Sequence, residues 1–118
     1  MAVRYEDGRT PKGHRLLIMH VSGTCDLSQS ETLGARLKKG GDYHRARVLV
    51  HVAAGTEYTP EARKYFPTLN DDHVAMATVV TSAIVRAMIN LITRVGGGTP
   101  NFRMFTDTAA ALAWLDTK

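Results

Sequence analysis

Cysteine is nearly absent from this 118-residue chain: Cys25 stands alone, so no internal disulfide can form and a reducing compartment is expected. Residues 1–8 hold no apolar h-region, so no signal peptide is expected. Long apolar runs are scarce as well. The one candidate, residues 74–92, is interrupted by Thr78, Thr81, Ser82, Arg86 and Asn90. That pattern suits a buried strand followed by an amphipathic helix better than a membrane span. The reading is therefore a soluble, cytoplasmic protein with no membrane span. The Gly-x-Ser-x-Gly elbow, the Walker-A loop and the Gly-x-Gly-x-x-Gly turn are missing too, so nothing supports an enzyme, and neither catalytic residues nor a cofactor are expected. Gly96-Gly97-Gly98 follows a predicted helix, whereas a phosphate loop would precede one.

Present instead are 44% hydrophobic and 7% aromatic residues, the composition of a globular protein with an aliphatic core. The length suits one compact domain over residues 1–118 and is too short for two. A net charge of +4 lies entirely in residues 1–47, with nine Lys or Arg against five Asp or Glu. It peaks at Arg36, Lys38, Lys39, Arg45 and Arg47, around Gly40-Gly41. Cations also suit a helix C-terminus, so a solvated helix end is the favoured reading and nucleic acid is not an expected partner.

Local patterns lay out alternating strands and helices. Residues 4–8 suit a short edge strand and residues 9–14 a turn. Residues 16–21 are apolar apart from His20, as in a strand covered on both sides. Ser28 and Glu31 have capping-box spacing, Leu33 and Leu37 share the following helix face, and Gly40-Gly41 stops that helix. Residues 47–52 make a second buried strand. Thr59-Pro60 reads as N-cap and N1 of a helix burying Ala62 and Phe66, which Pro67 ends or bends. Residues 74–80 make the third buried strand, and Thr81 or Ser82 caps a helix with Ile84, Met88, Leu91 and Val95 inward and Arg86, Asn90 and Arg94 outward. After Gly96-Gly97-Gly98, alternation up to Phe105 gives a last strand. Thr106-Asp107 then caps a short helix carrying Leu112 and Leu115. This order predicts an α/β fold with a mixed, largely parallel sheet of about five strands and helices packed on it.

Three segments carry a family likeness: Thr59-Pro60-Glu61-Ala62-Arg63-Lys64-Tyr65, the strand over residues 74–80, and the ending Phe105-Thr106-Asp107 with Ala111-Leu112 and Trp114-Leu115. Together they resemble the SpoIIAA-like proteins, relatives of the STAS and SEC14-like domains. The resemblance implies a SpoIIAA/STAS-like fold over nearly the whole chain. Two departures matter. Anti-sigma-factor antagonists carry a phosphorylatable serine in an Asp-Ser-Ser/Thr-Gly turn. Here the comparable segment runs Ala54-Gly55-Thr56-Glu57-Tyr58-Thr59-Pro60, where an N-cap role for Thr56 or Thr59 is the favoured reading. Many SpoIIAA-like chains also place an Asp near the end of the strand where His51 stands.

The five histidines, His14, His20, His44, His51 and His73, lack metal-ligand spacing, and no metal is expected. Adjacent strands would bring His20 and His51 together, with Cys25 near a strand end, but hydrogen-bonded histidines are favoured over a His/His/Cys site. The best ligand candidates surround the start of the third helix: Thr81, Ser82 and Arg86, with Thr56 in the loop beside them, where backbone N–H groups and the helix dipole favour an anion. Parallel sheets bind ligands beyond the carboxyl ends of their strands.

Three functions follow, in order of preference. The first is a non-catalytic, SpoIIAA/STAS-like regulatory or ligand-responsive module acting through a protein partner or as a homodimer. The second, implied by the SEC14-like relationship, is a carrier of a small apolar or anionic ligand, opened by movement of residues 91–102. The third is a hydrolase or transferase using His51 and Cys25.

Overall fold

The computed structural model describes residues 3–69, 72–95 and 101–118. Strands β1 (Val3–Arg9) and β2 (Arg15–Val21) form a hairpin, followed by β3 (Thr24–Cys25) and α1 (Leu27–Leu37). Then come β4 (Arg47–Val52), β5 (Glu57–Tyr58), α2 (Pro60–Tyr65) and a 3-10 turn (Phe66–Leu69). Strand β6 (Ala75–Val80), α3 (Ala83–Val95), β7 (Phe102–Phe105) and α4 (Thr108–Leu115) complete the chain. Five strands make one sheet in the order β1-β2-β4-β6-β7. Strand β1 is antiparallel to β2, and every other pair is parallel. This is the mixed, largely parallel sheet that the sequence predicts. The pairing of β3 with β5 as a separate two-stranded sheet was not anticipated, because two-residue strands leave no periodic signal.

Strand alternation divides the core in two. On one face Leu17, Met19, Val21, Val48, Val50, Val52 and Val80 meet Leu33 and Leu37 of α1 and Val85 and Ile89 of α3. Gly34 of α1 is buried against the tip of Tyr65, whose hydroxyl would have to shift to admit a Cβ there. On the other face Leu16, Leu49, Ala75 and Ala77 lie under Ala111 and Leu115 of α4. The facing alanines let α4 sit close to β6, with β4 and β7 beside it. Arg47 holds the far end of this helix by donating from Nε to the Leu115 carbonyl (2.9 Å) and from Nη2 to the Lys118 carbonyl.

The caps show where sequence reading succeeds and where it slips. Thr59 caps α2 with Pro60 at its first turn, and Asp107 caps α4 by accepting from the Ala110 N–H at 2.9 Å. The box on α1 sits two residues earlier than expected. Asp26 accepts from Gln29 N–H (3.0 Å) and Gln29 Oε1 accepts from Asp26 N–H (3.1 Å), which leaves Ser28 inside the helix. Helix α3 is rotated from the predicted phase: Val85 and Ile89 are buried, while Ile84 is 81% and Leu91 63% exposed. The expected Gly96-Gly97-Gly98 stop, and the side chains of Arg94 and Val95, lie outside the described residues.

Two cations of the basic patch, Arg36 and Arg47, are tied into the frame, while Lys38 and Lys39 stay exposed. Arg36 pairs with Asp42 (3.2 Å) and lies over the Tyr5 and Tyr43 rings. Arg15 covers Tyr43 at 4.1 Å, and Arg47 is the α4 anchor.

Candidate functional site

Helix α4 is only eight residues long, so the face it packs on stays open toward β1 and β2. Alternation puts Arg4 and Glu6 of β1, Ile18 and His20 of β2, and His51 of β4 on that open face. The register pairs Arg4 with His20 and His20 with His51. Neighbouring strands run roughly 4.8 Å apart. Two imidazoles at matched positions therefore stack, with ring centroids 5.0 Å apart and planes 10° from parallel.

Beside this pair, Glu6 Oε2 lies 2.7 Å from His20 Nε2, and its other oxygen is 3.2 Å from Arg4 Nη1. Hydrogen bonds from His20 first, then from Arg4, hold the Glu6 carboxyl below its ordinary range. His51 is lowered too, which in a histidine disfavours the charged form. Burial, and secondarily the neighbouring His20, push it below the usual imidazole range, against a weaker upward pull from Glu6.

A cleft of about 750 Å³ opens over the pair at the carboxyl ends of β2, β4 and β6. Its polar lining comes from Arg4, His20, Ser22, His51 and Thr81, and valines from the strand ends supply the apolar part. Ligand sites of open α/β sheets lie in this position.

Of the four residues singled out from sequence, Thr81 lies on the cleft wall. Ser82 caps α3, its Oγ accepting from the Val85 N–H at 3.3 Å. One turn on, Arg86 turns its guanidinium back to the Val80 carbonyl at 3.4 Å. Thr56 is 1% exposed and donates its hydroxyl to the Ala53 carbonyl at 2.6 Å, closing its own loop rather than capping a helix. Thr59 is a cap, as read. The expected neighbourhood of His20 and His51 is realised, but Cys25 does not join them. It is fully buried in the core of the opposite face, with Sγ 3.9 Å from Ser30 Oγ, and burial pushes its thiol up. The sheet thus separates Cys25 from His51, and the hydrolase or transferase built on that pair fails on geometry. Among the described residues no three His, Cys, Asp or Glu side chains converge to hold a metal ion. Arg4 and Glu6 were missed as site residues. Their i, i+2 spacing in an edge strand was the available signal, but it becomes informative only once β1 is paired with β2.

A mixed five-stranded sheet with this order and these helices is a SpoIIAA-like fold. The chain is similar to a crystallised, uncharacterized protein of the DUF3478 family with a SpoIIAA-like fold from Shewanella loihica PV-4. The two share 14% identity and a TM-score of 0.63, over 97% of this chain and 94% of that one, a likeness of fold alone. By sequence the chain belongs to the DUF7793 family, a domain of unknown function, which matches residues 18–118. Strand β1, with Arg4 and Glu6, precedes the matched span. No curated protein matches. Among the described residues no helix is long and apolar enough to cross a membrane.

Proposed function

We propose that this protein is a non-catalytic, ligand-responsive SpoIIAA-like module whose ligand seat is the cleft over His20 and His51. The observation that carries this reading is the half-covered sheet face. A hydrophobic sheet is normally buried by packed elements, and here the uncovered part of the face runs, at the strand ends, into a cleft of about 750 Å³ with convergent polar groups. Thr81 touches the ligand, Ser82 and Arg86 fix the start of α3 beside it, and Thr56 shapes the neighbouring loop. The ligand is small, with an anionic or polar head against the imidazoles and an apolar body against the valines. A molecule bound there bears on the first turn of α3 and can bias its position. A reducing cytoplasm suits the lone buried thiol, Cys25.

Native mass spectrometry of the protein purified from its own host tests the reading. A retained mass is expected that disappears on denaturation and is absent from Thr81→Trp, which fills the cleft from its exposed wall. A wild-type protein that is wholly ligand-free would sink the proposal.

A second reading, self-association, rests on α3, where Ile84 and Leu91 project into solvent. It predicts a dimer by light scattering that Leu91→Glu converts to monomer. A monomeric wild type would refute it.

A further inference from the structure

Two imidazoles stacked at the floor of a cleft are an unusual lining for an otherwise aliphatic sheet. Among the described residues His51 has no hydrogen-bond partner, and its ring stacks on that of His20. His20 commits Nε2 to Glu6, and its other ring nitrogen remains for a ligand. Arg4 stands at the same register position on β1 and also lines the cleft. Glu6 is not part of the cleft wall and is held by Arg4 and His20. The cleft therefore offers the His51 ring and the Arg4 guanidinium as donors, while the Glu6 carboxylate beside them is occupied by Arg4 and His20.

We propose that the His20–His51 pair is the seat of a small oxyanion, a carboxylate, sulfonate or phosphate group, and that a proton enters with the anion. This deepens the ligand-responsive reading and rests on it. The charged and titratable groups facing His51 are His20 from β2 and Arg4 and Glu6 from β1. Val79 of β6 and Thr81 in the loop beyond it do not titrate, and Arg86 of α3 is turned to the Val80 carbonyl. Burial, then the adjacent His20 ring, lower His51 from the usual imidazole value. An anion across both rings adds to the weak upward pull of Glu6, so the bound state favours imidazolium and takes up a proton. Affinity must then rise as the pH falls from the ligand-bound value of His51 toward its lower, ligand-free value, and level off beyond each.

The test uses 1-butanesulfonate, whose charge is fixed over the working range and whose short chain suits the valine wall. Calorimetric titration of the whole protein from about pH 8 down to about pH 5.5 is expected to show binding that tightens up to roughly tenfold per pH unit, the limit for one linked proton. His51→Gln is expected to flatten that slope. His44→Gln, an exposed histidine bonded to the Leu37 carbonyl, is expected to keep it. Should His51→Gln fail to fold, the His51 ring signal in wild-type protein decides by NMR: its titration midpoint must rise when the probe is added. Binding in the cleft with no pH dependence overturns the proton-coupled step and leaves the module reading intact. No binding at any pH overturns the oxyanion seat. Loss of the module reading is seen separately, in a ligand-free mass spectrum.

Discussion

Tyr5 and Asp116 show how differently two polar side chains can be treated by one fold. Tyr5 faces the main core from β1, and burial, followed by Cys25, pushes its phenol up to about 12. Its hydroxyl is buried with no hydrogen-bond partner among the described residues. A buried, unpaired hydroxyl costs about 1–3 kcal/mol, which offsets part of what the ring contributes. Tyr5→Phe removes the cost and keeps the ring, so chemical denaturation is expected to find the variant equal to wild type or up to about 1 kcal/mol more stable. A clear loss would show that the hydroxyl is satisfied in solution. Asp116 is the opposite case. Burial would raise its carboxyl, but hydrogen bonds involving Thr10, His14 Nδ1 (2.9 Å) and the Lys12 backbone N–H (3.1 Å) outweigh that and hold it below the ordinary value. Stability from such a group is present above the unfolded-state pKa and is lost as the pH falls through the folded one. Asp116→Asn should therefore lower the melting temperature near pH 7. The gap should close in acid, below the ordinary carboxylate range. A gap that persists there would assign the loss to packing instead.

At the scale of elements, what was legible depended on whether the signal was a single position or a phase. Thr59-Pro60 and Asp107 mark their helices because a cap is a local hydrogen bond between neighbours in sequence. The rotation of α3 is not local. Ile84, Met88 and Leu91 satisfy a helical period, and so do Val85, Met88 and Ile89; packing on the sheet selects the second set, with Val85 and Ile89 in the core and Met88 against it. The capping box on α1 slipped for the same reason, since Asp26/Gln29 and Ser28/Glu31 have identical spacing. The observed phase has a measurable consequence. Val85→Ala and Ile89→Ala are expected to cost about 1–4 kcal/mol each by urea denaturation, as truncations in a packed core do. Ile84→Ala and Leu91→Ala should stay within about 0.5 kcal/mol, as substitutions on an exposed helix surface do. The reverse ranking would restore the phase expected from sequence.

Across the whole molecule, the site exists because one side of the sheet is finished and the other is not. The α/β alternation and the buried strands were readable from apolar runs and turn residues, and so was the proximity of His20 and His51. The cleft was not readable, because it depends on how far α4 reaches across the second face. That reach is set by long-range contacts. Ala75, Ala77 and Ala111 bring α4 close to β6, Arg47 holds the Leu115 and Lys118 carbonyls, and Asp116 reaches His14 in the β1–β2 turn. Arg36 and Arg47, which from sequence belong to a basic patch, are spent on such internal ties. Arg47 offers the cleanest check. Hydrogen bonds from a charged donor contribute about 1.5–3 kcal/mol, so Arg47→Met, which keeps much of the apolar stem, should lose about that much stability. Hydrogen exchange should quicken first in α4, because the helix has lost the tie at its carboxyl end, while β2 and β4 keep their protection. Exposed Lys39→Met should leave both measurements unchanged. If Arg47→Met instead loosened β2 and β4 as much as α4, the guanidinium would be a strut of the sheet, and the extent of the open face would have to be set by something other than the anchoring of α4.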